Sequence, residues 1–322
     1  MKIKILAAAI LTASLSISSC QTKEEITINK ETLLANLKEL SSDAYEGRGF
    51  SKPGNYKAQK FIAAKFAALG LETYEGDTYI QKFDHTFTGR MRQRLFPVKD
   101  AAKDFSNVAD TIVVGGNVIG IIKGTSEKVI VISGHFDHLG IKNGKIYNGA
   151  DDDASGTAAL FAIAEYFKNK APKHNLIFAA VDAEEIGLLG AEYFVANFKN
   201  AKENIALNIN MDMIAHNDSL QLNAAGVYHY PQLKEQLQNL ESPIHFTIGH
   251  DDPNDKKLED WTFSSDHAVF HRRKIPFIYF GVDDHKDYHK DTDTFENINQ
   301  DFYYEAVKLI IQVIEKSDNL LK

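Results

Sequence analysis

Apolar, β-branched runs alternate with segments of helical periodicity along most of this chain, and the alternation limits the folds open to it. Strands are predicted at 118–122, 129–132, 176–181, 205–211 and 277–280, and helices near 33–40, 55–69, 154–168, 188–198 and 302–314. Strands separated by helices form a largely parallel sheet with helices on both faces. We therefore expect an α/β fold in three α/β/α layers, with a mixed, mostly parallel central sheet and a single domain.

Two details refine this expectation. The predicted strands 118–122 and 129–132 are separated by a short turn that contains Gly124, which favours a hairpin. No repeat or proline-rich linker interrupts residues 30–322, so these residues are assigned to one domain.

Charge and cysteine content exclude several classes of protein. The chain has 322 residues, 36 Lys+Arg against 44 Asp+Glu and a formal net charge of -8, so it is not suited to binding nucleic acid. Cys20 is its single cysteine, which excludes intrachain disulfides, thiolate zinc clusters and a cysteine nucleophile further along the chain. A metal bound by the domain would have to be held by His, Asp and Glu.

The first residues read as a targeting segment. Lys2 and Lys4 precede an apolar run of about ten residues, too short to span a bilayer and typical of a secretory signal. The following Ile-Ser-Ser-Cys resembles a bacterial lipobox, which implies a signal peptide at 1–19, a lipidated tether at 20–29 and a membrane anchor on Cys20. We expect location in the bacterial cell envelope, anchored to the outer membrane and, from the acidic Glu24-Glu25, surface exposure. An ordinary signal peptide is the alternative.

Acids and histidines gather where the predicted strands end, which is where open α/β sheets place their sites. The segments concerned are 133–138, 149–156, 182–185, 212 and 287–289. Their side chains are the zinc ligands available when no thiolate is present. Adjacent carboxylates such as Glu184 and Glu185 also repel each other unless a cation neutralises them.

In order along the chain stand His-Phe-Asp-His, Gly-Ala-Asp-Asp-Asp-Ala-Ser-Gly, Asp-Ala-Glu-Glu-Ile-Gly-Leu-Leu-Gly, Asn-Met-Asp-Met-Ile and Asp-Tyr-His. This ordered set resembles the bacterial co-catalytic di-zinc aminopeptidases, whose relatives include glutamate carboxypeptidases and glutaminyl cyclases. The stretches Glu46-Gly47-Arg48-Gly49 and Ser265-Asp266-His267 are similar to further signatures of that family. The resemblance covers most of the chain from about Leu40 onward.

The resemblance implies a role for each matching residue. Two zinc ions per chain would be held by His135 and Asp212 on one side and by Glu185 and His289 on the other, with Asp152 bridging. Glu184 would be the general base, and Asp137 would hydrogen-bond the far nitrogen of His135. A cis peptide bond is implied after Asp152. The remaining residues implied, as substrate contacts or supports of the site, are Trp261, Asp266, His267 and Tyr288.

The implied reaction is removal of N-terminal residues from peptides with a free N-terminus, by a metal-activated hydroxide. A single-zinc glutaminyl cyclase and a non-catalytic surface module on a peptidase scaffold are the alternatives. Serine-hydrolase chemistry is disfavoured because the sequence has no Gly-x-Ser-x-Gly elbow. His138 is expected to support a ligand or to lie at the rim of the site. His85, His174 and His245 are expected to be loop or surface residues.

Overall fold

The computed structural model describes residues 25–74, 76–88, 109–199 and 202–321. The predicted signal peptide and Cys20 lie outside these residues, so their processing and lipidation stay predictions. Within the described ranges, no helix combines the length and the apolar character needed to cross a membrane.

The predicted helices are present, and one short helix is added. They are α1 (Lys30–Leu40), α2 (Pro53–Leu69), α3 (Gly156–Phe167), α4 (Leu189–Ala196), α5 (His267–Arg272) and α6 (Gln300–Leu320). Asn29 caps α1 by accepting a hydrogen bond from the Thr32 N–H at 2.8 Å. Gly70 ends α2 with a left-handed φ of 77°, as a glycine after a helix commonly does.

The five predicted strands are also present, together with further strands that the sequence did not predict. The strands are β1 (Glu72–Thr73), β2 (Ile80–Phe87), β3 (Thr111–Ile122), β4 (Val129–His135), β5 (Gly140–Lys142), β6 (Lys145–Tyr147), β7 (Asn175–Val181), β8 (Ile205–Met211), β9 (Gln221–Ala225), β10 (His245–Ile248) and β11 (Phe277–Gly281).

The main sheet has the order β1-β3-β7-β4-β8-β11-β9-β10, with β2 also paired to β3. Its four central strands β7, β4, β8 and β11 are mutually parallel, whereas β3 and β9 run antiparallel to their central neighbours. The predicted mixed sheet with a parallel centre is confirmed. A parallel centre matters for function because the carboxyl ends of all four strands lie at one edge.

Side chains alternate between two cores on opposite faces of this sheet. On β4, Ile130 and Ile132 pack with α1, α2, α3 and α6, whereas Val129 and Val131 pack with α4 and α5. Successive strand residues point to opposite faces, so the continuous apolar run of β4 is what a strand buried on both sides requires. The predicted three-layer α/β/α architecture is therefore confirmed.

Three expectations are wrong in detail. β3 and β4 do not form a hairpin, because β7 pairs with both and separates them; the long hairpin is β2 with β3. The folded domain begins before residue 30, since Ile26 and Ile28 are already buried in the core. His174 is not a loop or surface histidine: it is buried, with Nδ1 2.9 Å from Asp318 Oδ1.

Candidate metal centre and active site

Five segments meet at the carboxyl ends of the parallel strands. β4 ends at a histidine, β8 ends immediately before an aspartate, and the turn after β7 carries two adjacent glutamates. The turn Ala150–Ser155, which leads into α3, and the loop after β11 supply the rest. These segments bring together the five predicted zinc ligands: His135, Asp152, Glu185, Asp212 and His289.

Asp152 lies between two groups of potential ligands. Its Oδ1 is 3.3 Å from His135 Nε2, which is in turn 3.5 Å from Asp212 Oδ1. Its Oδ2 is 3.1 Å from His289 Nε2, which is 3.6 Å from Glu185 Oε1. The two oxygens of one carboxylate thus face different groups, which is the arrangement that a bridge between two cations requires.

His138 belongs to the second of these groups, and the supporting or rim role predicted for it from sequence stays a prediction. Its Nδ1 lies 2.8 Å from Glu185 Oε1 and 3.6 Å from Asp152 Oδ2, and its side chain is fully buried. Gly149 permits this approach: a Cβ there would lie 2.6 Å from the His138 ring and 2.1 Å from the Asp152 carbonyl oxygen. The structure therefore adds a sixth residue to the candidate metal ligands.

Buried polar atoms of the second group fit a cation. Among the described residues, both ring nitrogens of His138, Asp152 Oδ2 and Glu185 Oε1 lack a hydrogen-bond partner. A buried polar atom without a partner is costly, so four such atoms in one place indicate a missing ligand. Imidazole nitrogens and carboxylate oxygens are the ligands zinc takes in the absence of thiolate, and the residues present fit that ion.

Electrostatics in the centre favour positive charge. Burial opposes a charge on His135, but the carboxylates of Asp212, Asp137 and Asp152 outweigh it and raise the pKa of the imidazole well above its usual range. For Asp152, burial by itself raises the pKa of the carboxyl. His138, His135 and His289 outweigh that effect and hold the pKa well below the usual range. A dication would displace the imidazole protons, since zinc binds imidazole in its neutral form.

Asp137 supports the two glutamates. Its Oδ1 accepts a hydrogen bond from the backbone N–H of Glu184 at 3.0 Å, and its Oδ2 accepts one from that of Glu185 at 3.3 Å. The sequence predicted that this carboxylate would hold His135. Instead His135 Nδ1 contacts the carbonyl oxygen of Asp137 at 3.0 Å, with the carboxylate Oδ1 at 3.7 Å, because the turn after β7 presents two N–H groups to that carboxylate.

Glu184 is half-buried beside this centre. Burial, together with the negative charges of Asp266, Asp212 and Glu185, raises the pKa of its carboxyl well above the usual range, against the opposing charge of His135. A carboxyl with a raised pKa is suited to accept and return a proton near neutral pH.

The peptide bond between Asp152 and Asp153 is cis, as the family resemblance implied. The Asp153 carboxylate accepts hydrogen bonds from the backbone N–H groups of His135 at 3.0 Å, Gly156 at 2.9 Å and Met213 at 3.3 Å. Asp153 also lies close enough to His135 to share a metal with it. Because three backbone donors occupy its oxygens, we assign it to bracing the turn instead.

Arg48 connects the segments that carry the ligands. This fully buried guanidinium donates to the carbonyl oxygens of Leu40 at 2.8 Å, Phe136 at 2.6 Å, Asn148 at 2.6 Å and Gly149 at 2.7 Å. The bonds tie the segment after β4 to the segment before the Asp152 turn. A planar guanidinium with five N–H donors suits such a junction better than a lysine would.

The residues implied as substrate contacts or supports differ in how deeply they are buried. Asp266 and His267 are fully buried and cannot touch a substrate; burial raises the pKa of Asp266 to about 8 and lowers that of His267 to about 3. The Trp261 carbonyl oxygen lies 2.8 Å from His267 Nε2. We assign Trp261, Asp266 and His267 to supporting the site. Tyr288 is half-buried, and its ring stacks on that of His289 with centroids 4.0 Å apart.

Sequence reasoning did not include His138 among the candidate metal ligands, and it gave Arg48 no role. The signal for His138 was present, since it stands three residues after a predicted ligand and just beyond the end of a buried strand. The role of Arg48 had no such signal, because its acceptors are main-chain carbonyls that any residue supplies.

The central strands of the sheet are parallel, and His and carboxylate groups meet at their ends. This arrangement is typical of a metal-dependent α/β protein. Residues 117–314 match the model of peptidase family M28. The match covers more than half of the 322 residues, and the chain belongs to this family.

Individual relatives are more distant. A protein of Pyrenophora teres f. teres described as "Probable zinc metalloprotease" is 29% identical over 198 residues, 60% of this chain and 38% of that protein. An aminopeptidase from Aneurinibacillus sp. strain AM-1 has a similar structure, with a TM-score of 0.67 at 14% identity over 89% of this chain and 93% of that one. A Bacteroides thetaiotaomicron glutaminyl cyclase bound to N-acetylhistamine gives 0.66 at 17% identity, over 91% and 99%.

These comparisons differ in how much of each relative they cover and in what they show. The chain spans only about two fifths of the length of the first curated relatives that it matches, at 38% and 41%. The structural neighbours share the fold at low identity, and an aminopeptidase and a glutaminyl cyclase resemble the chain about equally. Fold alone therefore does not separate the two activities.

Proposed function

We propose that this protein is a zinc metallopeptidase that removes N-terminal residues from peptides with a free N-terminus. The observation that carries the proposal is the position of Asp152, whose two carboxylate oxygens face separate groups of potential ligands. Family membership supports it, because the matched region contains all of those ligands.

Two zinc ions would be held by His135 and Asp212 on one side and by Glu185 and His289 on the other, with Asp152 shared. His138 is placed to join the second set. When bound, zinc supplies Lewis acidity, lowering the pKa of water and polarising a carbonyl oxygen.

Proton transfer is assigned to Glu184. Its carboxylate accepts the proton of the attacking water and returns it to the leaving amine. Its neighbour Glu185 faces His138 and His289, so the turn after β7 directs one glutamate toward the proposed metal and leaves the other for the substrate. Asp137 holds both backbone N–H groups, which fixes that division.

Recognition of a free N-terminus follows from the charge of the site. Asp266, Asp212 and Glu185 lie close enough to Glu184 for their charges to add to the effect of burial and raise the pKa of its carboxyl. A substrate α-ammonium placed there would relieve this repulsion, whereas an N-acetylated peptide would not. The preference for a free amine is thus an electrostatic property of the strand-end acids.

The test is a paired assay on protein whose metal content has been measured. We expect cleavage of free but not N-acetylated peptides, with about two zinc ions at the catalytic centre. Glu184→Gln should lower the activity about 10²- to 10⁴-fold, whereas Glu165→Gln, an exposed change on α3, should leave it unchanged. Full activity in metal-free protein would overturn the proposal, and glutamine cyclisation with one zinc would identify a cyclase instead.

We also propose that the chain acts at the bacterial cell envelope, held at the outer membrane by acyl chains on Cys20. The support is the lipobox-like sequence before that cysteine. Fractionation of cells that produce the full chain tests this location.

A further inference from the structure

A second cluster of histidines and acids lies outside the centre described above. His216, His285 and Asp287 each offer one ligand atom, and these atoms lie within 4.8 Å of one another. His216 follows β8, and the other two precede His289 in the loop after β11. None of the three is needed for the peptidase mechanism.

Two atoms of this cluster are buried without a partner. Among the described residues, His216 Nδ1 and Asp287 Oδ2 have no hydrogen bond, although their side chains are 4% and 8% exposed. They face each other across 3.8 Å, too far for a hydrogen bond. Two ligands of a tetrahedral ion with bonds near 2.1 Å lie roughly 3.4 Å apart, so the gap is close to what one ion would span.

Two of the three residues, His285 and Asp287, are held through another polar atom. His285 Nε2 lies 3.1 Å from Asp151 Oδ2, and Asp287 Oδ1 accepts a hydrogen bond from Thr292 Oγ1 at 2.6 Å. A histidine whose far nitrogen donates to a carboxylate is the usual support of a metal-binding imidazole. If Nε2 carries the proton, Nδ1 of His285 keeps its lone pair.

His285 Nδ1 accepts the backbone N–H of Asp287 at 3.2 Å, the hydrogen bond that an ion would replace. The rings of His216 and His285 stack with centroids 4.0 Å apart. Two protonated imidazoles would repel each other at that distance, whereas two neutral ones could share a cation.

We propose that His216, His285 and Asp287 bind a third divalent metal ion, separate from the catalytic pair. Two imidazoles and one carboxylate suit zinc or a similar late transition metal, with water completing the coordination. Asp151 precedes Asp152 and Asp287 lies two residues before His289, so the ion would join two segments that carry catalytic ligands. It would act as a structural ion.

The test counts zinc in the purified full-length protein after dialysis against zinc buffer. We expect about three ions per chain in the wild type and about two in His216→Gln. His174→Gln is the matched control, because His174 is equally buried and also beside an aspartate, Asp318, and belongs to no candidate metal group among the residues that the structure describes. This variant should keep three ions. His216→Cys should restore the third ion, since a thiolate also binds zinc.

The outcomes separate this proposal from the proposed peptidase. Glu185→Ala should lose catalytic zinc and keep the ion at His216. Equal zinc content in wild type and His216→Gln, with both folded by circular dichroism, would overturn the third site whatever the activity. One ion in the wild type that vanishes in His216→Gln would support the third site and refute the catalytic pair.

Discussion

The carboxylate of Asp137 accepts a hydrogen bond from the backbone N–H of Glu184, at 3.0 Å, deep beneath the metal centre. This contact fixes the main chain of the proposed general base without touching its side chain. We therefore expect Asp137 to act as a positioning residue, and substitutions there test how far catalysis depends on the orientation of the turn after β7.

Asp137→Asn replaces one accepting carboxylate oxygen by an amide NH₂, which cannot accept from an N–H. We expect kcat to fall about 10- to 100-fold, the usual effect of losing such a supporting contact. Steady-state kinetics beside Asp255→Asn, an exposed loop change, would measure it. An Asp137→Asn enzyme with unaltered kcat would show that the turn keeps its orientation without this bond.

Glu184→Gln and Glu185→Ala should separate the two roles of the paired glutamates. The first should retain its zinc and lose about 10²- to 10⁴-fold in turnover, because a positioned proton-transfer group is removed. The second should lose zinc, because Glu185 faces His138 and His289. Metal analysis with kinetics on the same samples decides between them, and the reverse pattern would exchange the assignments.

Removal of metal should lower the stability of the fold as well as the activity. A ligand present at 1,000 times its dissociation constant adds about 4 kcal/mol to the free energy of unfolding. Chelated protein should therefore melt at a lower temperature, and added zinc should restore both melting temperature and turnover. A melting curve unaffected by chelator would contradict tight binding at Asp152.

Arg48→Met should destabilise the domain by about 3 kcal/mol or more, because four carbonyl oxygens lose their donor and buried acceptors without partners are costly. Denaturant unfolding would measure the change. Arg272→Met is the control: Arg272 is half exposed and pairs with Glu192 at the surface, where ion pairs contribute little. Equal effects of the two changes would refute the junction role of Arg48.

Cys20→Ala should move the protein from the membrane fraction to the soluble fraction, or leave it unprocessed. Acyl chains on the cysteine would anchor the mature form, since the preceding apolar run is too short to span a bilayer. Fractionation and immunoblotting would show the shift. Unchanged membrane association would argue against lipidation.

The sequence predicted which strand ends would carry the proposed ligands, and the structure brings these side chains together at one edge of the sheet; their binding of zinc stays a prediction. His135, Asp212 and Glu184-Glu185 each follow a buried strand, and the carboxyl ends of parallel strands meet at one edge. The roles of the supporting residues depend on local backbone direction. The sequence shows that Asp137 is near His135, but not that its carbonyl, rather than its carboxylate, meets the ring.

Pairing between distant segments was the second feature that the sequence could not predict. The turn at Gly124 favoured a hairpin of β3 and β4, yet β7, some fifty residues further along, enters between them. Local turn residues cannot reveal a strand that arrives later in the chain. The same holds for His138, whose contact with Glu185 depends on the parallel pairing of β4 with β7.

Arg48 also sets the smallest piece of this chain that could be studied alone. The family match begins at residue 117, and a fragment cut to 117–314 would still hold every proposed zinc ligand. It would lack the guanidinium that bonds the carbonyls of Phe136, Asn148 and Gly149. A fragment trimmed to the matched boundaries would keep the reacting groups without the part that holds them in place, so dissection should begin upstream of α1.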